Sequence, residues 1–128
     1  MFSKVICMVH NRLRSVACFL AVTAVTVLII FFSLEQGAHV PKIRWVPFAD
    51  KGLHACAYGL LGVLIGFWRG KGKKGLFLGF CFVFCLGLSM EMIQPYFGRS
   101  RELLDLVADL VGGSAGLFVG AACSGLWV

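Results

Sequence analysis

Ionisable and amide side chains recur at helical spacing in three stretches of an otherwise apolar chain. The first set is spaced i, i+4 and i+8, the second i and i+3, the third i and i+4. In chain order they are Asp50, His54 and Tyr58, then Glu91 and Gln94, then Asp105 and Asp109. In a helix, these spacings put the members of each set on one face. A histidine near carboxylates can exchange protons or orient a polar ligand.

The elements that must position these sets follow from composition. Of the 128 residues, 59% are hydrophobic and only 14% are charged, whereas soluble domains carry about 25% charged residues. Four apolar segments predict helices over residues 16–34, 52–68, 75–94 and 103–127. Each is long enough to cover most of a ~30 Å hydrocarbon core. The ten-residue alternation of barrel strands is absent. We therefore expect an all-α membrane protein: one domain over residues 1–128, built as a bundle of four transmembrane helices.

The distribution of charge predicts how the bundle is oriented. Lys4, Arg12 and Arg14 precede the first helix, and residues 69–74 form a basic loop with no acid, while the other two loops mix both signs. The positive-inside rule then puts both ends of the chain in the cytoplasm. No A-x-A cleavage site follows the first apolar segment, so we expect that helix to be retained. These features indicate a multi-pass protein of the cytoplasmic membrane, oriented N-in and C-in. Because no soluble basic domain remains, we expect no nucleic-acid partner.

The three polar sets are predicted to meet at one depth. Counted from the cytoplasmic ends of their helices, His54, Glu91 and Asp109 lie roughly 22, 25 and 28 Å along. Ionisable groups at membrane depth usually face a bundle interior or a wet cavity. We therefore expect a polar pocket that opens to the outer face. It would be lined by His54, Tyr58, Glu91, Gln94, Arg99, Asp105 and Asp109.

Small residues on the last helix predict close helix packing. They follow one another at i+4 steps, and they are Ala108, Gly112, Gly116, Gly120 and Ser124. Such ridges let helices approach closely in lipid. Pro95 is expected to end the third helix, and Gly98 to let the following turn fold back.

Two segments resemble the VanZ-like family: DKGLHACAYGLLG, residues 50–62, and EMIQPYFGRSRELLDLVADLVGGSAG, residues 91–116. The resemblance covers the last three helices, residues 50–120. The matching positions are Asp50, Lys51, His54, Tyr58, Glu91, Gln94, Gly98, Arg99, Asp105, Asp109 and Gly112. Asp109 stands where many members have asparagine, which makes the pocket more acidic. The resemblance implies a bacterial cell-envelope protein. The family's namesake is associated with low-level teicoplanin resistance, an antibiotic-resistance role that does not define a biochemical activity.

Three functions remain open at this point. In the first, the pocket recognises an amphiphilic anionic envelope component: a lipid, a lipid-linked wall precursor or a lipoglycopeptide such as teicoplanin. The headgroup would lie at Arg99 and the lipid tail along the glycine-rich helices. The contacting residues would be Asp50, Lys51, Tyr58, Gln94, Arg99, Asp105 and Asp109. In the second, the protein is a hydrolase or transferase acting on such a lipid, with His54 as base and nearby Glu91 as its partner or as acid. In the third, the cluster only holds a structural partner subunit together.

No metal or other cofactor is expected from the sequence. Asp50, His54, Glu91, Asp105 and Asp109 would form an oxygen-rich ligand set with one imidazole. No local signature such as HExxH accompanies them, however. Five of the six cysteines fall inside apolar segments, where small apolar packing is their expected role. Membrane lipids are the expected partners, and the sequence does not define an oligomeric state.

Overall fold

Four long helices make up most of the protein in a computed structural model that describes residues 2–35, 49–70 and 72–125. They are α1 (Phe2–Leu34), α2 (Ala49–Arg69), α3 (Lys73–Ile93) and α4 (Leu103–Ser124), with a 3₁₀ helix at Gln94–Phe97. The described residues contain no strand. All four helices are long and apolar enough to cross a membrane. The expected all-helical architecture with four long apolar helices is therefore confirmed, while the predicted end at residue 127 lies outside the described residues.

Helix α1 is longer than predicted. It begins at Phe2 and has 33 residues, which corresponds to about 50 Å and exceeds the ~30 Å hydrocarbon core. The predicted start at residue 16 was wrong because it was placed where the charges end. Lys4, Arg12 and Arg14 do not interrupt a helix, and no proline or glycine precedes residue 16.

The first part of α1 is attached to the last turn of α2. Arg14 Nη2 donates to the carbonyl of Phe67 over 3.4 Å, and its guanidinium lies 4.5 Å from the centre of the Phe67 ring. Trp68 Nε1 donates to Ser15 Oγ over 3.1 Å. These contacts make α1 antiparallel to α2, so the end of α1 lies beside the start of α2.

Backbone contact between α2 and α4 is the tightest packing in the bundle. A Cβ added at Gly116 would lie 2.9 Å from the amide nitrogen of Val63, and one added at Gly120 would lie 2.8 Å from that of Phe67. A Cβ at Gly112 would overlap the carbonyl of Ala55. Only glycine permits this approach, which explains the ridge of small residues in α4. Since this glycine surface is filled by α2, a lipid tail does not fit along it, contrary to expectation.

The turn after α3 reverses the chain. Pro95 lies in the 3₁₀ helix, and Gly98 ends that helix with a left-handed φ of 76°. The amide of Arg99 donates to the carbonyl of Gln94 over 3.2 Å. Proline and glycine therefore act as predicted, although α3 itself ends one residue early, at Ile93. The turn places Arg99 beside the end of α1.

Large apolar side chains cover much of the outer surface. Leu20, Phe31, Phe77 and Phe118 are each more than half exposed, at 59%, 60%, 65% and 67%. The core cluster is smaller and includes Tyr58, Leu61, Ile65, Val83 and Leu117. An apolar exterior around a small core is the pattern expected of helices whose outer faces meet lipid.

Candidate functional site

Lys51, on the first turns of α2, bridges two acidic residues at the start of α4. Its Nζ lies 2.7 Å from Asp105 Oδ1 and 2.5 Å from Glu102 Oε2. The Asp105 side chain is 5% exposed, whereas that of Glu102 is 47% exposed. The buried carboxylate thus has a charged partner, as a buried charge requires. This bridge ties α2 to α4 at the end where the two helices begin.

One turn further along α2, the imidazole of His54 lies between two aspartates of α4. Its Nδ1 is 2.9 Å from Asp109 Oδ1, and its Nε2 is 3.9 Å from Asp105 Oδ2. Asp109 is 1% exposed. Because an ionised carboxylate only accepts, this bond assigns a proton to Nδ1. The Asp109 side chain therefore fixes the orientation of the imidazole and turns Nε2 toward Asp105.

Glu91 takes a different partner from the one expected. Its Oε2 accepts a hydrogen bond from the backbone amide of Glu102 over 3.0 Å. No hydrogen bond joins it to His54 among the described residues. The reason is packing: α2 meets α4 along the glycine ridge, so the imidazole reaches Asp109 of α4 and not the α3 carboxylate. The predicted His54–Glu91 pair is thus replaced by a His54–Asp109 pair.

Three buried polar atoms have no hydrogen-bond partner in the described part of the chain. They are the Tyr58 hydroxyl, Glu91 Oε1 and Gln94 Nε2. Tyr58 and Gln94 are each 1% exposed, and Glu91 is 5% exposed. An unpaired buried polar group is destabilising by about 1–3 kcal/mol. Each of the three therefore calls for a partner such as a water or a ligand atom.

Arg99 lies on the α1 side of the bundle. It is half-buried, and its Nη1 donates to the carbonyl of Ser33 over 3.2 Å. Within the described residues, no carboxylate pairs with its guanidinium. A guanidinium carries five N–H donors, and most of those of Arg99 have no partner among the described residues.

A cavity of about 250 Å³ lies between α1 and α2 and reaches Arg99. Most of its wall is apolar. Its polar lining consists of Ser33, Asp50, His54, Tyr58 and Arg99. Its apolar lining consists of Val25, Leu28, Ile29, Phe32, Leu53, Ala57 and Leu60. The combination of an apolar wall and a few polar groups is typical of small-ligand sites.

The predicted site residues form two connected groups. One is the α2–α4 junction with Lys51, His54, Asp105 and Asp109. The other is the cavity, which shares His54 with the junction and adds Asp50, Tyr58 and Arg99. Glu91 and Gln94 lie on the α3 side and do not line this cavity. Their side chains are buried inside the bundle and do not reach the cavity.

Two residues of the site were missed from the sequence. Glu102 supplies both an amide to Glu91 and a carboxylate to Lys51. Its position directly before a helix with Asp105 in the first turn could have indicated that it belongs to the polar cluster. Ser33 contributes the carbonyl that accepts from Arg99. That role belongs to the backbone, so no side-chain pattern could have indicated it.

In comparisons with known proteins, no family model matches the chain, and no curated protein or solved structure is significantly similar to it.

Proposed function

We propose that the chain is a VanZ-like integral membrane protein of the bacterial cytoplasmic membrane, oriented N-in and C-in. In this proposal its polar pocket, at the outer face, recognises an amphiphilic anionic component of the cell envelope. A phospholipid, a lipid-linked wall precursor and a lipoglycopeptide such as teicoplanin have the required chemistry. The observation that carries the proposal is the α1–α2 cavity, which joins a long apolar wall to Arg99.

The apolar part of the cavity suits an acyl chain. Leu28 and Ile29 of α1 line it from one side and Leu60 of α2 from the other. Each buried methylene is favourable by about 0.8 kcal/mol, so even a short segment of chain in this space contributes to binding. The glycine ridge of α4 is filled by α2 and is unsuitable for this purpose. The tail is therefore proposed to lie against α1.

The polar end of the cavity suits a headgroup with both acceptors and donors. Arg99 offers charge-assisted hydrogen bonds to a phosphate or carboxylate, in which a planar guanidinium can bind two oxygens at once. Asp50 lines the same cavity and would accept from hydroxyl or amine groups of the headgroup. Lys51 is directed toward Asp105 and Glu102, so Arg99 is the cation that supports binding of the anionic group.

The proposal is tested by titrating purified protein with phosphatidylglycerol and, separately, with phosphatidylcholine, and counting bound lipids by native mass spectrometry. The parent is expected to retain the anionic lipid in preference to the zwitterionic one, and Arg99→Ala is expected to lose that preference. Arg101→Ala is the matched control, because Arg101 is an exposed arginine two residues away that does not line the cavity. Equal preference in parent and Arg99→Ala would overturn the proposal.

A second candidate is an enzyme that hydrolyses or transfers a group on such a lipid. The observation that favours it is the His54–Asp109 hydrogen bond of 2.9 Å. A buried carboxylate that orients an imidazole is a common feature of general-base catalysis. In this version Asp109 replaces Glu91 as the partner of His54. Mass spectrometry of envelope lipids and wall precursors would test it, in cells making the parent or His54→Ala at equal membrane abundance. A species that changes only with the parent favours the enzyme, and identical profiles refute it.

The third possibility, a structural partner subunit, is supported by the same bonds. Lys51 and His54 of α2 both reach carboxylates of α4. If the polar groups serve only to hold the bundle together, Glu91→Gln should lower stability in detergent. Any cell phenotype of that variant would then follow from loss of protein alone.

A further inference from the structure

We propose that Asp50, His54 and Asp105 bind one divalent metal ion at the junction of α2 and α4. Each of the three offers a ligand atom, and these atoms all lie within 4.8 Å of one another. The ligands come from two helices separated by more than fifty positions in the sequence, so a local motif could not have revealed them. The sequence-based expectation of no metal rested on the absence of such a motif.

The imidazole is held in the orientation that a metal ligand requires. Its Nδ1 is engaged by Asp109 Oδ1 at 2.9 Å, which leaves the lone pair on Nε2. Metal-bound histidines almost always make this second bond to a carboxylate, a carbonyl or a water. The Nε2 atom faces Asp105 Oδ2 at 3.9 Å, too far for a hydrogen bond. Two metal–ligand bonds of about 2.1 Å span at most about 4.2 Å, so an ion fits between the His54 and Asp105 atoms. The exposed Asp50 side chain, whose ligand atom lies within 4.8 Å of both, must turn inward wherever its separation exceeds that span.

One carboxylate oxygen of Asp105 is likewise held by a neighbouring side chain. Its Oδ1 lies 2.7 Å from the Lys51 ammonium, and this leaves Oδ2 for the ion. Hydrogen bonding of a ligating carboxylate by an outer group is the usual arrangement in metal sites. Lys51 also balances part of the local negative charge. Asp50, Asp105 and Asp109 together still exceed its single positive charge, and this excess favours a cation.

A buried polar group lies next to the cluster along α2. Tyr58 is 1% exposed and lies one helical turn after His54, and it lines the same cavity as Asp50 and His54. Its hydroxyl has no hydrogen-bond partner in the described part of the chain. Three protein ligands with one open position is the arrangement of sites where a metal meets a substrate.

The ligand set indicates which ions would bind. One imidazole nitrogen with two carboxylate oxygens suits Zn²⁺ or Mn²⁺. Because Asp50 and His54 line the α1–α2 cavity, an open position on that side would let the ion share an anionic headgroup with Arg99. Sharing of the headgroup rests on the proposed function, whereas binding of the ion itself does not. An ion bound to Nε2 would prevent His54 from acting as a general base. Metal binding and acid–base catalysis by His54 are therefore mutually exclusive hypotheses.

The test uses the full chain purified without a histidine tag, treated with a chelator, and dialysed against Zn²⁺ or Mn²⁺ with no lipid ligand added. The bound metal is measured by mass spectrometry of the elements. The parent is expected to bind one ion per chain with at least one of the two metals. Asp50→Asn is expected to bind at least ~10-fold more weakly, and because Asp50 is exposed this variant should fold. Glu35→Gln, which removes a carboxylate outside the cluster, is expected to bind like the parent.

Two outcomes would overturn the proposal. One is no stoichiometric binding of either ion by the parent; the other is equal affinity in the parent and Asp50→Asn. A second variant, Asp109→Asn, checks the orienting role. It should weaken metal binding by ~10–100-fold, and equal metal affinity in the parent and Asp109→Asn would contradict that role. Because no lipid ligand is added in the dialysis, failure here is distinguishable from failure of the lipid-binding proposal.

Discussion

Replacement of Gly116 by alanine should weaken the bundle, although alanine is the better helix former. The added Cβ would overlap the carbonyl of Gly59 and lie 2.9 Å from the amide nitrogen of Val63. Both are backbone atoms, so no side chain can rotate away, and α2 and α4 must separate. Overpacking of this kind is destabilising by about 1–3 kcal/mol. The intrinsic gain of alanine over glycine in a helix is about 1 kcal/mol. Together these leave a net loss of about 0–2 kcal/mol in the free energy of unfolding, and because the overlapping atoms belong to the backbone we expect the upper part of that range.

Gly59→Ala is the matched control for this prediction. Its Cβ would lie 3.5 Å from the carbonyl of Gly112, an ordinary contact in the same interface. It should therefore leave stability unchanged or raise it by about 0.5–1 kcal/mol. The assay is equilibrium unfolding in mixed detergent–SDS micelles, followed by tryptophan fluorescence. If Gly116→Ala is as stable as Gly59→Ala, the α2–α4 packing described above is incorrect.

Two further predictions concern the polar junction and the turn. Lys51→Met should lower the free energy of unfolding by about 1–3 kcal/mol, since it leaves the buried Asp105 carboxylate without its partner. In an Asp105→Asn background, Lys51→Met should lower the free energy of unfolding by a clearly smaller amount. Equal losses in both backgrounds would show that the two side chains do not interact. Gly98→Ala should destabilise by about 1–2 kcal/mol because its φ of 76° is left-handed. Gly98→Asn should lose less, and equal losses for the two would argue against this backbone conformation.

The helices could be predicted because their signals are local. Long apolar runs, the proline at Pro95 and the glycine at Gly98 mark segments and turns without reference to the rest of the chain. The start of α1 was missed for a physical reason. Hydropathy locates the part of a helix that lies in lipid, whereas hydrogen bonding continues through Lys4 and Arg12 into the polar region. Hydropathy therefore underestimates helices that extend beyond the membrane.

The sequence predicted which residues form the candidate site better than it predicted which of them contact each other. Helical spacing placed Asp50, His54 and Tyr58 on one face, and all three line one cavity. It could not show whether His54 meets α3 or α4, since that depends on interhelical distance. The glycine ridge of α4 could have indicated the answer, because the helix with the smallest residues can approach α2 most closely. Asp109 lies on that helix. The role of α1 in the cavity was not predictable, because all the residues that it contributes to the lining except Ser33 are apolar.

The most direct measurement of the central claim is identification of the lipids that remain bound to the protein after mild purification from cells. Parent, Arg99→Ala and Arg101→Ala would be compared by mass spectrometry at equal protein amounts. We expect an anionic amphiphile that is enriched with the parent and with Arg101→Ala, and lost with Arg99→Ala. The same lipid profile for all three proteins would contradict recognition of an anionic headgroup at Arg99.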